Sequence, residues 1–164
     1  MQFPRPALLS LLAFTVVLGA AAQSDTVSVR VRHGNACDVV VTLAEMKQLT
    51  QHTATIAAHD GEQATYEGVL LKKVLGLHCT SLDTLGKRMM VQSAVRVGAS
   101  DGYSALVALT EADSSFREQP VLLVWLRNGQ PLSDHDGPLQ LIVPDDKRHA
   151  RDVRKVSSLE VITP

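Results

Sequence analysis

Aromatic residues are scarce: one Trp, two Tyr and three Phe make up 4% of the 164-residue chain. So few rings leave little for the stacking platforms that hold single-stranded nucleic acids. An excess of either charge is also missing, with 16 Lys+Arg against 17 Asp+Glu. That balance lacks the basic footprint of a nucleic-acid binder, so nucleic acid is not expected as a partner. Cysteine occurs only twice, at Cys37 and Cys79, without a Cys-x-x-Cys or His-x-x-x-His spacing, so a zinc site has no local signature. Gly-x-Ser-x-Gly, a phosphate-binding Gly-rich loop and a zinc-protease helix are absent as well. The longest apolar stretch, Ala7 to Ala22, is interrupted by Ser10, Thr15 and Gly19. It falls short of the roughly 20 residues that span a bilayer.

What that stretch does resemble is a secretory signal. Arg5 precedes it, and Ala20, Ala21 and Ala22 offer the small residues of a cleavage site. The expected domain organisation is therefore a cleaved segment 1–22 and one globular domain at 23–164, with no stable membrane span after cleavage. Its 45% hydrophobic content and length suit a single core. Export places the chain in the periplasm or outside the cell, where Cys37 and Cys79 meet oxidising conditions. They are candidates for a disulfide, with two buried thiols as the alternative; the Cα separation that a bond requires is not readable from sequence.

Strand patterns dominate the remaining chain. Val27, Val29 and Val31 alternate with Ser28, Arg30 and Arg32, as on a half-buried strand. Thr42 to Glu45 matches a capping box opening a short helix. Thr53–Ala58 and Gln63–Glu67 read as a hairpin turning at Asp60-Gly61. After Gly68, the run VLLKKVLGL has a helical apolar face. Met89–Val97 and Tyr103–Leu109 read as strands joined at Asp101-Gly102. Thr110 to Asp113 suggests a helical turn. Val121–Leu126 is apolar throughout, as in a strand buried on both faces, and Asn128-Gly129 turns it back. The class is α+β, a mixed-sheet single domain.

The most informative stretch is Gly137 to Val161. Leu139–Val143 reads as a strand, Pro144 stops it, a short basic helix is expected next, and Ser158–Thr163 closes the chain as a strand. At helical spacing Lys147, Arg151 and Arg154 share one face. A helix N-terminus there would seat a phosphate or another oxyanion. The plainer reading is a solvated face neutralised by Asp145, Asp146 and Asp152, with Arg148 and Asp152 paired. Asp101 and Tyr103 are either turn chemistry or the mouth of the same pocket. His59 is a weak candidate metal ligand.

Five phrases in order carry a resemblance: YEGVLLKKVL at Tyr66, DGYSALVALTE at Asp101, QPVLLVW at Gln119, NGQPL at Asn128 and GPLQLIVPDDKR at Gly137. Together they resemble the molybdopterin-binding domain of the sulfite oxidase family, and more closely its small stand-alone exported members. The resemblance implies that domain's α+β fold and, in the larger enzymes, a molybdenum–pyranopterin cofactor. It also implies that Lys147 and Arg148 face the cofactor's phosphate or oxo groups. Catalytic members ligate molybdenum with a cysteine thiolate in the strand before the Gly-Val-x-Leu segment. Here that stretch is TATIAAHDGEQATYEGV, without cysteine. Members loaded with cofactor in the cytoplasm leave through twin-arginine signals, and MQFPRPALL has one arginine.

The resulting expectation is an exported domain of molybdopterin-oxidoreductase type that is non-catalytic and carries no cofactor. It would bind a small anionic ligand or a periplasmic protein, using Lys147, Arg148, Asp101, Tyr103 and Arg151. The alternatives are an active molybdenum–pterin oxidoreductase and a protein-interaction scaffold.

Overall fold

A computed structural model describes residues 27–57 and 61–164. The expected signal segment and His59 lie outside these residues. Strands β1 (Ser28–His33), β2 (Cys37–Thr42), β5 (Ala94–Ala99), β6 (Ser104–Ala108) and β10 (Val156–Ile162) form one sheet, in the order β2-β1-β10-β5-β6. In it β1 and β10 run parallel, and the other pairs are antiparallel. The second sheet is antiparallel: β3 (His52–Ala57), β4 (Gln63–Leu70) and β7 (Leu122–Arg127) pair in turn. The far edge of β7 carries β8 (Gln130–Pro131) and β9 (Gln140–Ile142). Short helices α1 (Leu43–Met46), α2 (Leu71–Gly76), α3 (Thr80–Asp83) and α4 (Lys87–Gln92) connect the strands, with 3-10 turns at Leu109–Ala112 and His149–Arg151. The fold is α+β with one mixed sheet. Among the described residues no helix is long and apolar enough to cross a membrane.

Side-chain alternation explains the layers. On β1, Val29 and Val31 are fully buried while Arg30 and Arg32 face solvent. On β7 the parity divides two clusters: Leu123 and Trp125 join the main core, whereas Leu122 and Val124 pack with Ile56, Tyr66 and Ile142 on the other side of the sheet. A strand serving two cores has no polar face, hence its unbroken apolar run. The capping box at α1 is complete: Thr42 Oγ1 accepts the Glu45 N–H at 3.3 Å, and Glu45 Oε2 accepts the Thr42 N–H at 2.8 Å. The cysteines form a disulfide with a Cα–Cα distance of 5.8 Å, tying the start of β2 to the residue before α3.

Three local expectations shift. Val69 and Leu70 extend β4, because they pair with Leu123 and Leu122; α2 therefore starts later, at Leu71. Lys87–Gln92 is helical, where a strand was expected from Met89, and only Met90 in it is buried. Ser93 ends α4 by donating its hydroxyl to Met89 O at 2.7 Å, and β5 begins at Ala94. Most consequentially, no α-helix follows Pro144. The chain turns, bends through 147–148 and makes a single 3-10 turn at His149–Arg151.

Candidate functional site

The reason for the missing helix builds the site. In a helix, the charged side chains of 145–154 would face one another at i, i+3 and i+4. Here several of them also bond across the fold. Arg151 spans two carboxylates: it donates to Asp146 at 2.8 and 2.6 Å, and to Glu111 at 2.9 and 3.2 Å. Arg117 joins the network through Glu111 at 2.6 Å and Asp145 at 2.7 Å. Arg151's hydrogen bond holds the Asp146 carboxyl below the usual range. Burial alone would raise Glu111, but Arg151, the Ala108 N–H and Arg117 bring it below its ordinary value. The same two acids, Asp146 first, raise the Arg151 guanidinium. Arg151 is thus a strut, with four of its five N–H donors committed to protein acceptors.

Asp152 closes the segment against β9. Its Oδ1 accepts the Val143 N–H at 2.8 Å, and its Oδ2 lies 2.8 Å from His149 Nδ1. The expected Asp152 partner was Arg148; the partner found is His149. Burial pushes the Asp152 carboxyl up, and its bonds to Val143 and His149 offset part of that rise. The pair holds the imidazole ring toward a cleft of about 300 Å³ lined by Asp101, Tyr103, His149, Ala150, Asp152 and Arg154.

The opposite wall is the β5–β6 turn. Gly102 has φ +91°, a conformation that costs other residues a steric clash. Asp101 Oδ1 accepts the Tyr103 N–H at 3.0 Å. Tyr103 reaches across the cleft and donates its hydroxyl to the Ala150 carbonyl, so turn and segment are latched together. Lys155, at φ 50°, adds two main-chain ties: its carbonyl accepts the Ser100 N–H at 3.0 Å and its N–H donates to Asp136 O at 3.0 Å. Arg154 Nε sits 2.9 Å from Asp136 Oδ1, yet its N–H is not aimed at that oxygen. The contact is an ion pair without a directional hydrogen bond.

Of the residues expected at a site, Asp101 and Tyr103 line this cleft. Arg151 is held in its network, and Lys147 and Arg148 are exposed on the bend before it, with no bonded partner among the described residues. The anion seat expected at a helix N-terminus is corrected: there is no helix to supply the converging N–H groups. His149 and Asp152 are not read as site residues from sequence, and Arg154 enters there only as a member of the expected basic helical face. The i, i+3 spacing of His149 and Asp152 was the one available signal, and it was masked by the competing i, i+4 pair. Among the described residues no three His, Cys, Asp or Glu side chains converge as a metal site, and no cysteine is free.

The family model described as the oxidoreductase molybdopterin binding domain matches residues 18–163. No curated protein matches the sequence significantly. Among solved structures, the crystal structure of the sulfane dehydrogenase SoxCD from Paracoccus pantotrophus superposes with a TM-score of 0.63 at 17% sequence identity. The match covers 84% of this chain and 38% of that one. At that identity the likeness concerns the fold alone, and the chain spans well under half of its neighbour's length.

Proposed function

The chain belongs to the oxidoreductase molybdopterin-binding domain family, and from that premise we propose an exported member that binds a small anionic ligand and has no molybdenum redox turnover. One observation carries this reading: the chain has two cysteines, and both are consumed in the Cys37–Cys79 disulfide. The resemblance assigns molybdenum a cysteine thiolate in catalytic members, and a soft anionic sulfur donor has no substitute among alkyl side chains. The donor set therefore does not fit a thiolate-bound molybdenum, and no step is derived through that cofactor. Arg151 is held by Glu111 and Asp146, which already take four of its five N–H donors. A native disulfide agrees with an oxidising compartment and so supports periplasmic or secreted residence.

The ligand's place in this reading is the cleft beside Tyr103. Arg154 supplies the cationic wall, while Lys147 and Arg148 stay in solvent, where they raise the local potential for an approaching anion.

The test is the composition of protein exported through its own signal and purified without chelators. Elemental analysis counts molybdenum per chain, and fluorescence after oxidation detects pterin. We expect neither in folded protein. Near-stoichiometric molybdenum with pterin would overturn this proposal in favour of an active oxidoreductase with an unusual ligand set.

A further inference from the structure

The cleft is not uniformly cationic. Two carboxylates, one guanidinium and one imidazole line its wall, so a simple anion placed there faces unfavourable neighbours as well as favourable ones. What matters is which of these groups still has bonding capacity. Asp152 has used both oxygens, on the Val143 N–H and on His149. Tyr103 has spent its one hydroxyl proton on the Ala150 carbonyl. Two charged groups retain unspent atoms. The terminal nitrogens of Arg154 make no hydrogen bond to the described residues, since its only contact runs through Nε to Asp136. At the other wall Asp101 Oδ1 accepts the Tyr103 N–H, while Oδ2 has no partner among the described residues.

One unspent cation and one unspent anion share the lining of a small cleft. A ligand carrying only a carboxylate or phosphate engages Arg154 and gains nothing from Asp101, whose like charge opposes it. A ligand carrying only an ammonium does the reverse. A ligand with both groups satisfies both walls through charge-assisted hydrogen bonds, the stronger kind. At about 300 Å³ the volume stands at the low end for ligand pockets, which limits the ligand to a small molecule.

We propose that the cleft between the Asp101–Tyr103 turn and the His149–Arg154 segment binds a small free amino acid, its carboxylate on the Arg154 guanidinium and its ammonium on the Asp101 carboxylate. This deepens the anion-binding reading, by naming the anionic group as a carboxylate beside an ammonium, and rests on it. The Tyr103–Ala150 hydrogen bond ties the turn to the segment on the cleft's other wall.

Thermal-shift screening of the mature exported protein against the twenty L-amino acids identifies the best ligand. Calorimetry then compares it with analogues that each lack one charge: for alanine these are propionate and ethylamine, with inorganic phosphate as a plain anion. The amino acid is expected to bind at least about tenfold tighter than either analogue, the size of one lost charge-assisted bond. Asp101→Asn, at an exposed turn position, is expected to keep the fold and remove the preference over the deaminated analogue. Arg154→Gln is expected to weaken the amino acid and the carboxylate together; should that variant lose its cooperative melt, Asp101→Asn alone decides. If propionate or phosphate binds as well as the amino acid and Asp101→Asn changes nothing, the amino-acid assignment falls and anion binding stands. If no amino acid, carboxylate or phosphate binds at millimolar concentration, both fall.

Discussion

Arg151 and Arg154 lie three residues apart and have opposite roles. Arg151 spends four N–H donors on Glu111 and Asp146 and braces the segment, while Arg154, in the cleft lining, contacts Asp136 through Nε, and its terminal nitrogens make no hydrogen bond among the described residues. Sequence places both in one basic run, and only the positions of distant acids distinguish them. Glu45 shows the same dependence on neighbours nearer the chain's start. The Thr42 hydroxyl, the Thr42 N–H and His78 at 2.7 Å draw its carboxyl from 4.5 down to about 2. A carboxyl depressed on folding adds stability above its unfolded value, and that stability is lost as pH falls through the folded one. Glu45 therefore supports the fold above pH 4.5 and loses its effect on the way down to about 2. Glu45→Gln is expected to melt lower than the parent at neutral pH and to converge with it in strong acid. A set of melts from neutral pH to about pH 2 reads this directly; a constant gap across the series would assign Glu45 no role in acid sensitivity.

At the scale of elements, β4 and β7 meet more closely than two ordinary strands. A Cβ at Gly68 would lie 2.1 Å from the Leu123 carbonyl oxygen and 2.5 Å from Val124 Cα, beside an irregularity in the β4–β7 register. Backbone cannot retreat as a flexible side chain can, so Gly68→Ala must spread the strands. The expected cost is about 1–3 kcal/mol, the usual penalty of overpacking, seen as a lower urea midpoint with an unchanged slope. Full parental stability would show that the sheet accommodates the methyl. One of the elements read wrongly from sequence, the helix after Pro144, failed through contacts from outside its own segment. Spacing alone favours local i, i+4 pairs, and here Glu111, Val143 and Asp136 offered better partners from outside the segment. The strands were easier: β1, β7 and β10 showed their burial in their apolar patterns, and Thr42 with Glu45 marked α1 by its capping box.

On the scale of the whole molecule, the Cys37–Cys79 disulfide closes a loop of 42 positions, which contains β3, β4 and α2. Restricting an unfolded loop of that length contributes roughly 4 kcal/mol at most in the chain-entropy account. The double variant Cys37→Ser, Cys79→Ser is expected to lose about 2–4 kcal/mol by urea denaturation. Unaltered stability would mean that the covalent tie adds nothing to what packing already holds. The bond joins β2 of the first sheet to the helices that follow the second sheet's β4, so its loss acts on the whole assembly.

The alternation of apolar and polar residues was enough to establish an α+β chain with a doubly buried strand, because side-chain direction in a strand follows from backbone geometry over a few neighbouring residues. The ordered motifs from Tyr66 to Arg148 were enough to establish the family. The cleft was another matter. Asp101 and Tyr103 were legible as a turn, but the residues that face them, His149 and Arg154, come from some fifty positions later. Their duties depend on which charges the folded sheets bring within bonding distance. Charge pairing is set by separation in space, and sequence spacing reports it only where the chain is locally regular. After Pro144 it is not, and there the tertiary contacts of Glu111, Asp136 and Val143 decided which cations became struts and which one faces the cleft.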